Sequence, residues 1–507
     1  MLDFFILISR GKRFVRLFVC LLFSLLFLLL FALLAGLTIF DNQHNNIIHD
    51  YVARNDDIIV LSTTFFENSQ SFPPNTAVIL FNSVQVFHLK HSTLNVIAET
   101  FDGNKEIKFE IHPVINKLPF FCKWVPYLAI GQVPEDPVLL KLSTNGKDGM
   151  ELSLRNPYRT SHNVVACFSP MFLNERWQLL LSTVEVYSHY GAFLHFYVRS
   201  MITDLFDLVK SNKNVKINAW PSLKMGNYRA ASPTFNPNTE LEFRNQASAM
   251  TDCLLLYKDS AKFIMFPDPD DFIIPTLGRT YKEEFIKMFE MFPTAGALAF
   301  NMTQTEIEST TSPFRYSPLS LLSSIKFKGE QRWGKLVVRP EKVDSVWIHK
   351  TYGLKKGYEQ KTVPIQLNSA LHFRFWNFTE RPKNRSAPFY DPTLSLQENR
   401  TVFKLSDGLR IEKKFKNHIR NNYQIFSRLP SVSLYYPLIE SCYNRIFYEK
   451  TNIGTCKGPE YCNIPPFIGL RCTNVASEFV TYKSYKNVFI HQLVSAEFEE
   501  SENGCTL

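Results

Sequence analysis

Apolar and polar positions fall into alternating blocks between residues 162 and 275. Asn163–Phe168 (NVVACF) is a short apolar run, the pattern of a strand buried on both faces. Over 175–190, Trp177, Leu180, Leu181, Val184 and Tyr187 share one helical face, read as core packing. Phe193–Val198 (FLHFYV) predicts a second strand. A short helix follows over 201–210, with Met201, Leu205, Leu208 and Val209 on one side. Val215–Trp220 predicts a third strand, stopped by Pro221. After a polar loop (221–243), residues 245–258 predict a helix that aligns Met250, Cys253, Leu254 and Tyr257, with Lys258 near its solvent-facing end. Lys262–Phe266 (KFIMF) is a further apolar strand. Strands alternating with short helices imply a parallel sheet with helices on its faces.

The flanks read differently. Residues 41–158 carry strand-like runs at Ile58–Leu61, Ala77–Leu80, Val84–Leu89 and Ile107–Ile111, punctuated by Pro73, Pro74, Asn75 and Gly103. This predicts a stem and a small β-rich module without legible chemistry. Ahead of it, Leu17–Phe40 is a 24-residue run without a charge. As a helix it spans about 36 Å, enough to cross a bilayer core. Its length and its lack of an A-x-A site argue against a cleaved signal peptide. Arg10, Lys12, Arg13 and Arg16 precede it against Asp3; Asp41, Asp50, Asp56 and Asp57 follow it against Arg54. The positive side stays cytosolic. The expected order is a cytosolic tail (1–16), a signal anchor (17–40), the β-rich module, an α/β domain (159–425) and a Cys-rich extension (426–507), the bulk of it luminal.

Composition adds exclusions. Hydrophobic residues make up 45% and charged residues 20%, which excludes a disordered or collagen-like chain. A formal charge of +9 spread over 507 residues, on a chain read as luminal, excludes a nucleic-acid partner. Sequons at Asn301, Asn377, Asn384 and Asn399 fit a luminal address. Cys20 lies in the anchor; Cys122, Cys167, Cys253, Cys442, Cys456, Cys462, Cys472 and Cys505 are expected to form disulfides. Cys442, Cys456, Cys462 and Cys472 are expected to pair among themselves. Zinc is the rival there, but no C-x2-C pair is present.

The candidate chemistry follows KFIMF at once: Pro267-Asp268-Pro269-Asp270-Asp271-Phe272. In open α/β sheets, ligands bind beyond the carboxyl ends of strands. Carboxylates at i and i+2 leaving a strand point toward one metal, and oxygen ligands suit manganese or magnesium. Asp-Pro and Asp-Asp are also common turn residues, so a plain turn is the competing reading.

Around these residues the chain resembles glycosyltransferase family 92. RNQASAMTDCLLLYKDSAKFIMFPDPDDFIIP (Arg244–Pro275) is similar to its central signature, through Gln246, Ala249, Asp252, Cys253, Asp268, Asp270, Asp271 and Phe272. Upstream, VVACFSPMF, a helix bearing Glu185, and HYGAFLHFYVRSM fit; downstream, KLVVRPEKVDSVWIHK (Lys335–Lys350) and LNSALHFRFW (Leu367–Trp376) fit. The resemblance covers about residues 160–420.

It implies an α/β, GT-A-type glycosyltransferase fold, a parallel-rich sheet with flanking helices. It also implies a UDP-sugar donor (galactose the best guess), a glycan acceptor, inversion at the sugar carbon, and a divalent cation, usually manganese. The Golgi membrane is the expected location. Asp268 and Asp270 are the implied metal ligands, with His349 as a later ligand or an ordinary strand histidine. Ser169, Pro170 and Met171 are implied to lie beneath the nucleotide base. Lys335 and Arg339 are candidates for the diphosphate, and Asp271, Glu330 and Asp344 for the catalytic base. His372 is read as structural. Asp271 stands where the family has Glu, one methylene longer. The alternative is an inactive, lectin-like or scaffold ectodomain on the same fold.

Overall fold

The structure is a computed structural model. It describes residues 57–507 apart from 86, 88–90, 116–121, 144–147, 226–235, 380–402, 448–455, 457 and 484–487. Residues 57–507 form one compact unit. The anchor expected at 17–40 lies outside the described residues. Among those described, no helix is long and apolar enough to cross a membrane.

The β-rich module is a largely antiparallel sheet. Strands β1 (Ile58–Phe66), β2 (Thr76–Val84) and β3 (Trp124–Gln132) lie side by side in an 11-stranded sheet. Every residue of β2 is buried, because the sheet is covered where β2 crosses it.

The expected α/β unit follows. Strands β4 (His162–Met171), β5 (Phe193–Val198) and β6 (Val215–Ala219) are parallel neighbours, and β7 (Ala261–Phe266) runs parallel on the other side of β4. Helices α1 (Trp177–His189), α2 (Thr203–Lys210) and α3 (Gln246–Tyr257) connect them. Beyond β7 the chain makes a short strand β8 (Asp271–Ile273), a helix α4 (Tyr281–Met291), and strands β9 (Ala295–Ser309), β10 (Lys326–Val338) and β11 (Ala370–Phe378). The sheet order is β6-β5-β4-β7-β10-β9-β11-β8, with Glu359–Val363 also paired to β9. The half built from β4 to β7 is parallel; β10 turns antiparallel to β7.

Helix α3 is buried at all twelve positions. One side packs on β4 and the other on β1 and β2, so it is the layer between the two sheets. Its polar residues look solvent-facing in the sequence but have remote partners. Asp252 accepts from Ser62 (2.8 Å), Tyr197 (2.7 Å) and Arg155 (3.2 Å). Lys258 is correspondingly not at a solvent-facing end: it is 2% exposed and donates to Pro340 O (3.0 Å) and Asp344 (3.2 Å).

The C-terminal extension does not stand apart. Helix α5 (Leu405–Asn421) is the last helix of the α/β unit; from the extension, helix α6 (Tyr435–Phe447) packs on that unit, and strands β12 (Cys472–Lys483) and β13 (Phe489–Ser501) join the first sheet, where β13 runs parallel to β1. All eight cysteines expected to be oxidised are disulfide-bonded: Cys122–Cys456, Cys167–Cys253, Cys442–Cys462 and Cys472–Cys505. The expected local knot is corrected: only Cys442–Cys462 closes within it. Cys456 reaches the β-rich module, 334 residues away in sequence. Cys472 opens β12, whose hairpin partner β13 ends at Ser501 and brings Cys505 alongside.

Candidate active site

The loop after β7 is tied from three elements. Asp271 N donates to Asp268 O (3.0 Å), and Phe373 N of β11 donates to Asp270 O (2.8 Å). From α1, Thr183 donates to Pro269 O (2.6 Å) and Tyr187 to Asp271 O (2.6 Å). With its carbonyls engaged and φ fixed at Pro269, the loop presents its carboxylates from a rigid frame.

The three carboxylates differ sharply in their surroundings. Asp268 accepts from Ser169 (2.8 Å) and Gln246 (3.2 Å) on Oδ1 and from Lys335 on Oδ2. Asp271 accepts from His372 Nδ1 (2.8 Å) on Oδ1, and its Oδ2 lies 3.2 Å from Lys335 Nζ. Asp270 accepts no hydrogen bond from any described residue; His372 Nδ1 stands 3.9 Å off, and 34% of its side chain is exposed.

Charge follows geometry. Burial alone would raise the Asp271 pKa, but Lys335 and His372 outweigh it and hold the group at about 2. Burial pushes Asp270 up, opposed by His372 and helped by Asp271 and Asp268. Burial would lower His372, yet Asp270 and Asp271 raise it to about 9. Asp271 has both oxygens engaged and a depressed pKa, so it is a poor general base and a good anchor.

Asp270, Asp271 and His372 each offer one ligand atom, all within 4.8 Å of one another. Two carboxylate oxygens and an imidazole nitrogen suit a divalent ion such as manganese, so these residues fit a metal once His372 is deprotonated. This set shares only Asp270 with the expected one. Asp268 bonds Ser169, Gln246 and Lys335 and lies outside the cluster of ligand atoms, whereas Asp271, engaged by His372 and Lys335, lies within it. His349 donates Nδ1 to Gly334 O (2.9 Å), and its ring nitrogens are not among the ligand atoms that cluster with Asp270. His372 takes the third place because β8 and β11 pair with Asp271 directly opposite it.

Other expected residues are placed as follows. Ser169 ends β4 on Asp268, with Pro170 and Met171 buried beside it. Lys335 is 2% exposed and sits between carboxylates, so its charge is not open to a diphosphate. Arg339 is turned away: its guanidinium stacks on the Phe289 ring of α4 (4.5 Å) and donates to Phe289 O (3.2 Å). Asp344 is paired with Lys258 (3.2 Å) and Lys355 (3.0 Å). The Glu330 side chain lies outside the described residues. Asn301 is half-buried on β9; Asn377 is exposed on β11 and donates to Glu306 (3.0 Å). Asn384 and Asn399 lie outside the described residues.

Some contributors escape the sequence. Arg176 stacks between the rings of Trp376 (4.4 Å) and Tyr436 (4.0 Å) in the field of Asp270. Its neighbour Glu175 accepts from the backbone N–H groups of Leu434, Tyr435 and Tyr436 (2.8 Å each), capping α6. The C-terminal extension thereby reaches the site's edge. Gln246, named above, is aimed at Asp268 by a left-handed turn that the sequence did not announce: φ is 44°, 57° and 63° at Phe243, Arg244 and Asn245. Such backbone costs about 1–2 kcal/mol per residue. The Asn245 amide exchanges hydrogen bonds with Asn82 of β2 (2.9 and 2.8 Å), and Arg244 donates to Tyr443 OH (2.6 Å), which holds the turn.

Comparison with known proteins places the chain. Glycosyltransferase family 92 matches residues 162–419. A glycosyltransferase family 92 protein of Caenorhabditis elegans is 68% identical over 508 residues, covering 99% of both chains. A second from the same organism is 28% identical over 476 residues, covering 89% of this chain and 90% of its own. The C. elegans beta-1,4-galactosyltransferase galt-1 is 33% identical over 111 residues, 22% of this chain and 25% of that protein. With more than half its length matched and a near full-length relative at that identity, the chain belongs to glycosyltransferase family 92.

Proposed function

We propose that this glycosyltransferase moves a hexose, galactose as the best reading, from a UDP-sugar to a glycan hydroxyl, with inversion and with a divalent cation, manganese foremost. The observation that carries the reading is the open carboxylate of Asp270 beside Asp271 and His372 at the carboxyl end of β7. The galactosyl part rests on the family resemblance and on the partial similarity to galt-1.

Asp270, Asp271 and His372 would hold the ion. Bound there, it would neutralise charge on the diphosphate leaving group. Lys335 holds Asp271 ionised and fixed, and Asp268 ties that lysine to Ser169 and Gln246. His372 would have to yield its proton to offer the ion a nitrogen. Arg176 adds fixed positive charge beside Asp270. The lectin-like alternative requires both Asp268 and Asp270 to be consumed by protein contacts; Asp268 is, and Asp270 is not.

The proposed location is the Golgi membrane, N-terminus cytosolic. The charge asymmetry about 17–40, the sequons and the four disulfides support it. An N-glycan-removing enzyme should lower the apparent mass of the membrane-bound protein; an unchanged mass, with an N-terminal tag protected from external protease in permeabilised cells, would invert the topology.

The activity test uses the detergent-solubilised full chain, a UDP-sugar panel and a glycan acceptor panel, with and without manganese. Manganese-dependent transfer from UDP-galactose, with an inverted product linkage, supports the reading. Preference for another UDP-sugar would move the donor assignment, and no binding of any UDP-sugar would favour the alternative.

A further inference from the structure

Trp333 is 57% exposed, and a lone exposed aromatic needs no explanation. Its mounting does. Along the β9–β10 pair, Phe300 faces Lys335 and Met302 faces Gln331, so two steps on β9 match four on β10. The surplus is a bulge centred on Trp333, and bulges re-aim side chains beside functional sites. Gly334 makes the bulge possible: a Cβ there would lie 1.7 Å from Phe300 O. The Gly334 carbonyl accepts from His349 Nδ1 (2.9 Å), and the His349 ring lies against Trp333 (5.8 Å between centroids) and Trp347 (5.9 Å, edge-on). Two residues on, Lys335 is locked to Asp268 and Asp271.

We infer that Trp333 is a pyranose-stacking platform at the mouth of the site, and that His349 is the positioning residue that holds it. The inference rests on the nucleotide-sugar reading above. An indole face carries negative charge and attracts the C–H groups on the apolar face of a neutral sugar ring. A nucleobase is disfavoured by place. Ser169–Met171, where the base is expected, end β4, and β7 separates β4 from β10. The ring bound is the hexose of the donor or a residue of the acceptor.

The test uses the full chain in detergent with manganese and three probes: UDP, UDP-galactose and N-acetyllactosamine. Trp333→Ala should weaken binding of UDP-galactose relative to UDP, or of N-acetyllactosamine, by about tenfold, the size of one aromatic stacking contact. Loss with UDP-galactose identifies the donor hexose; loss with N-acetyllactosamine identifies the acceptor. Trp333→Phe should restore most of the affinity, and UDP itself should bind within about twofold of the parent. His349→Asn keeps an N–H near the Gly334 carbonyl and should bind as the parent does; His349→Leu should behave as Trp333→Ala, which a merely structural histidine would not. Unchanged binding of all three probes by Trp333→Ala, or an equal loss for UDP alone, would overturn the platform and leave the nucleotide-sugar reading intact. So would a parent that binds UDP and neither sugar. A parent that binds no UDP removes both.

Discussion

Lys335 lies 3.2 Å from Asp271 and also bonds Asp268, so one buried ammonium serves two of the three carboxylates at the end of β7. The third, Asp270, is left to the solvent side with His372 as its neighbour. One ammonium thus ties Asp268 to Asp271 and leaves Asp270 as the open carboxylate, with Asp271 and His372 within reach of the same ion.

Lys335→Met leaves Asp268 and Asp271 buried without their cation. Removing one partner of a buried pair costs about 3–5 kcal/mol. Urea unfolding should show a loss of that size, and Lys335→Met combined with Asp268→Asn should recover part of it. A single-variant loss below about 1 kcal/mol would mean that the ammonium is dispensable.

Asp268→Asn should lower stability by about 1–3 kcal/mol, because an amide cannot accept from Ser169, Gln246 and Lys335 together. It should weaken metal binding only indirectly. Manganese titration followed by the free-ion paramagnetic signal separates the two: an affinity loss as large as that of Asp270→Asn would make Asp268 a ligand after all.

His372 has a pKa raised to about 9 from an ordinary value near 6.5. A group raised on folding contributes stability that is complete below about pH 6.5 and is lost as pH climbs through about 9. With a chelator present, the melting temperature should fall across that window, by the equivalent of about 3 kcal/mol. His372→Gln should flatten the profile. Added manganese should stabilise more at pH 9 than at pH 6, because the proton must leave before the nitrogen ligates. A flat profile for the parent would contradict the Asp271–His372 contact.

Asp252→Ala removes the acceptor shared by Arg155, Tyr197 and Ser62 and should cost about 2–4 kcal/mol. Affinity for UDP should stay within about twofold, since Asp252 faces the β-rich sheet. A selective loss of nucleotide affinity without a stability change would move Asp252 into the site.

The parallel strands were legible because a strand buried on both faces must be apolar throughout, as NVVACF and KFIMF are. Helix α3 was half legible: its apolar stripe is real, but the partners of its polar residues, Asn82 for Ser248, Val346 O for Thr251, and Ser62 and Tyr197 for Asp252, come from remote segments. Of the candidate cation-holding residues, only Asp270 was legible in that role. His372 stands opposite Asp271 through a strand pairing that closes 101 residues of chain, and no local pattern announces such a register. Nor does spacing announce Cys122–Cys456, which joins cysteines 334 residues apart. His349 sits in a recognisable segment, yet its partner is a carbonyl that only a bulge exposes.

Asp270 is proposed as the open carboxylate that holds the cation for sugar transfer. The most direct measurement is UDP-galactose turnover by the full chain across a manganese titration, parent against Asp270→Asn, with a melting curve for each. The parent should show manganese-dependent turnover and the variant a loss of about 10²–10³, the cost of one well-placed electrostatic contact, at an unchanged melting temperature in chelator. Asp270→Asn that keeps both its turnover and its manganese dependence would contradict it.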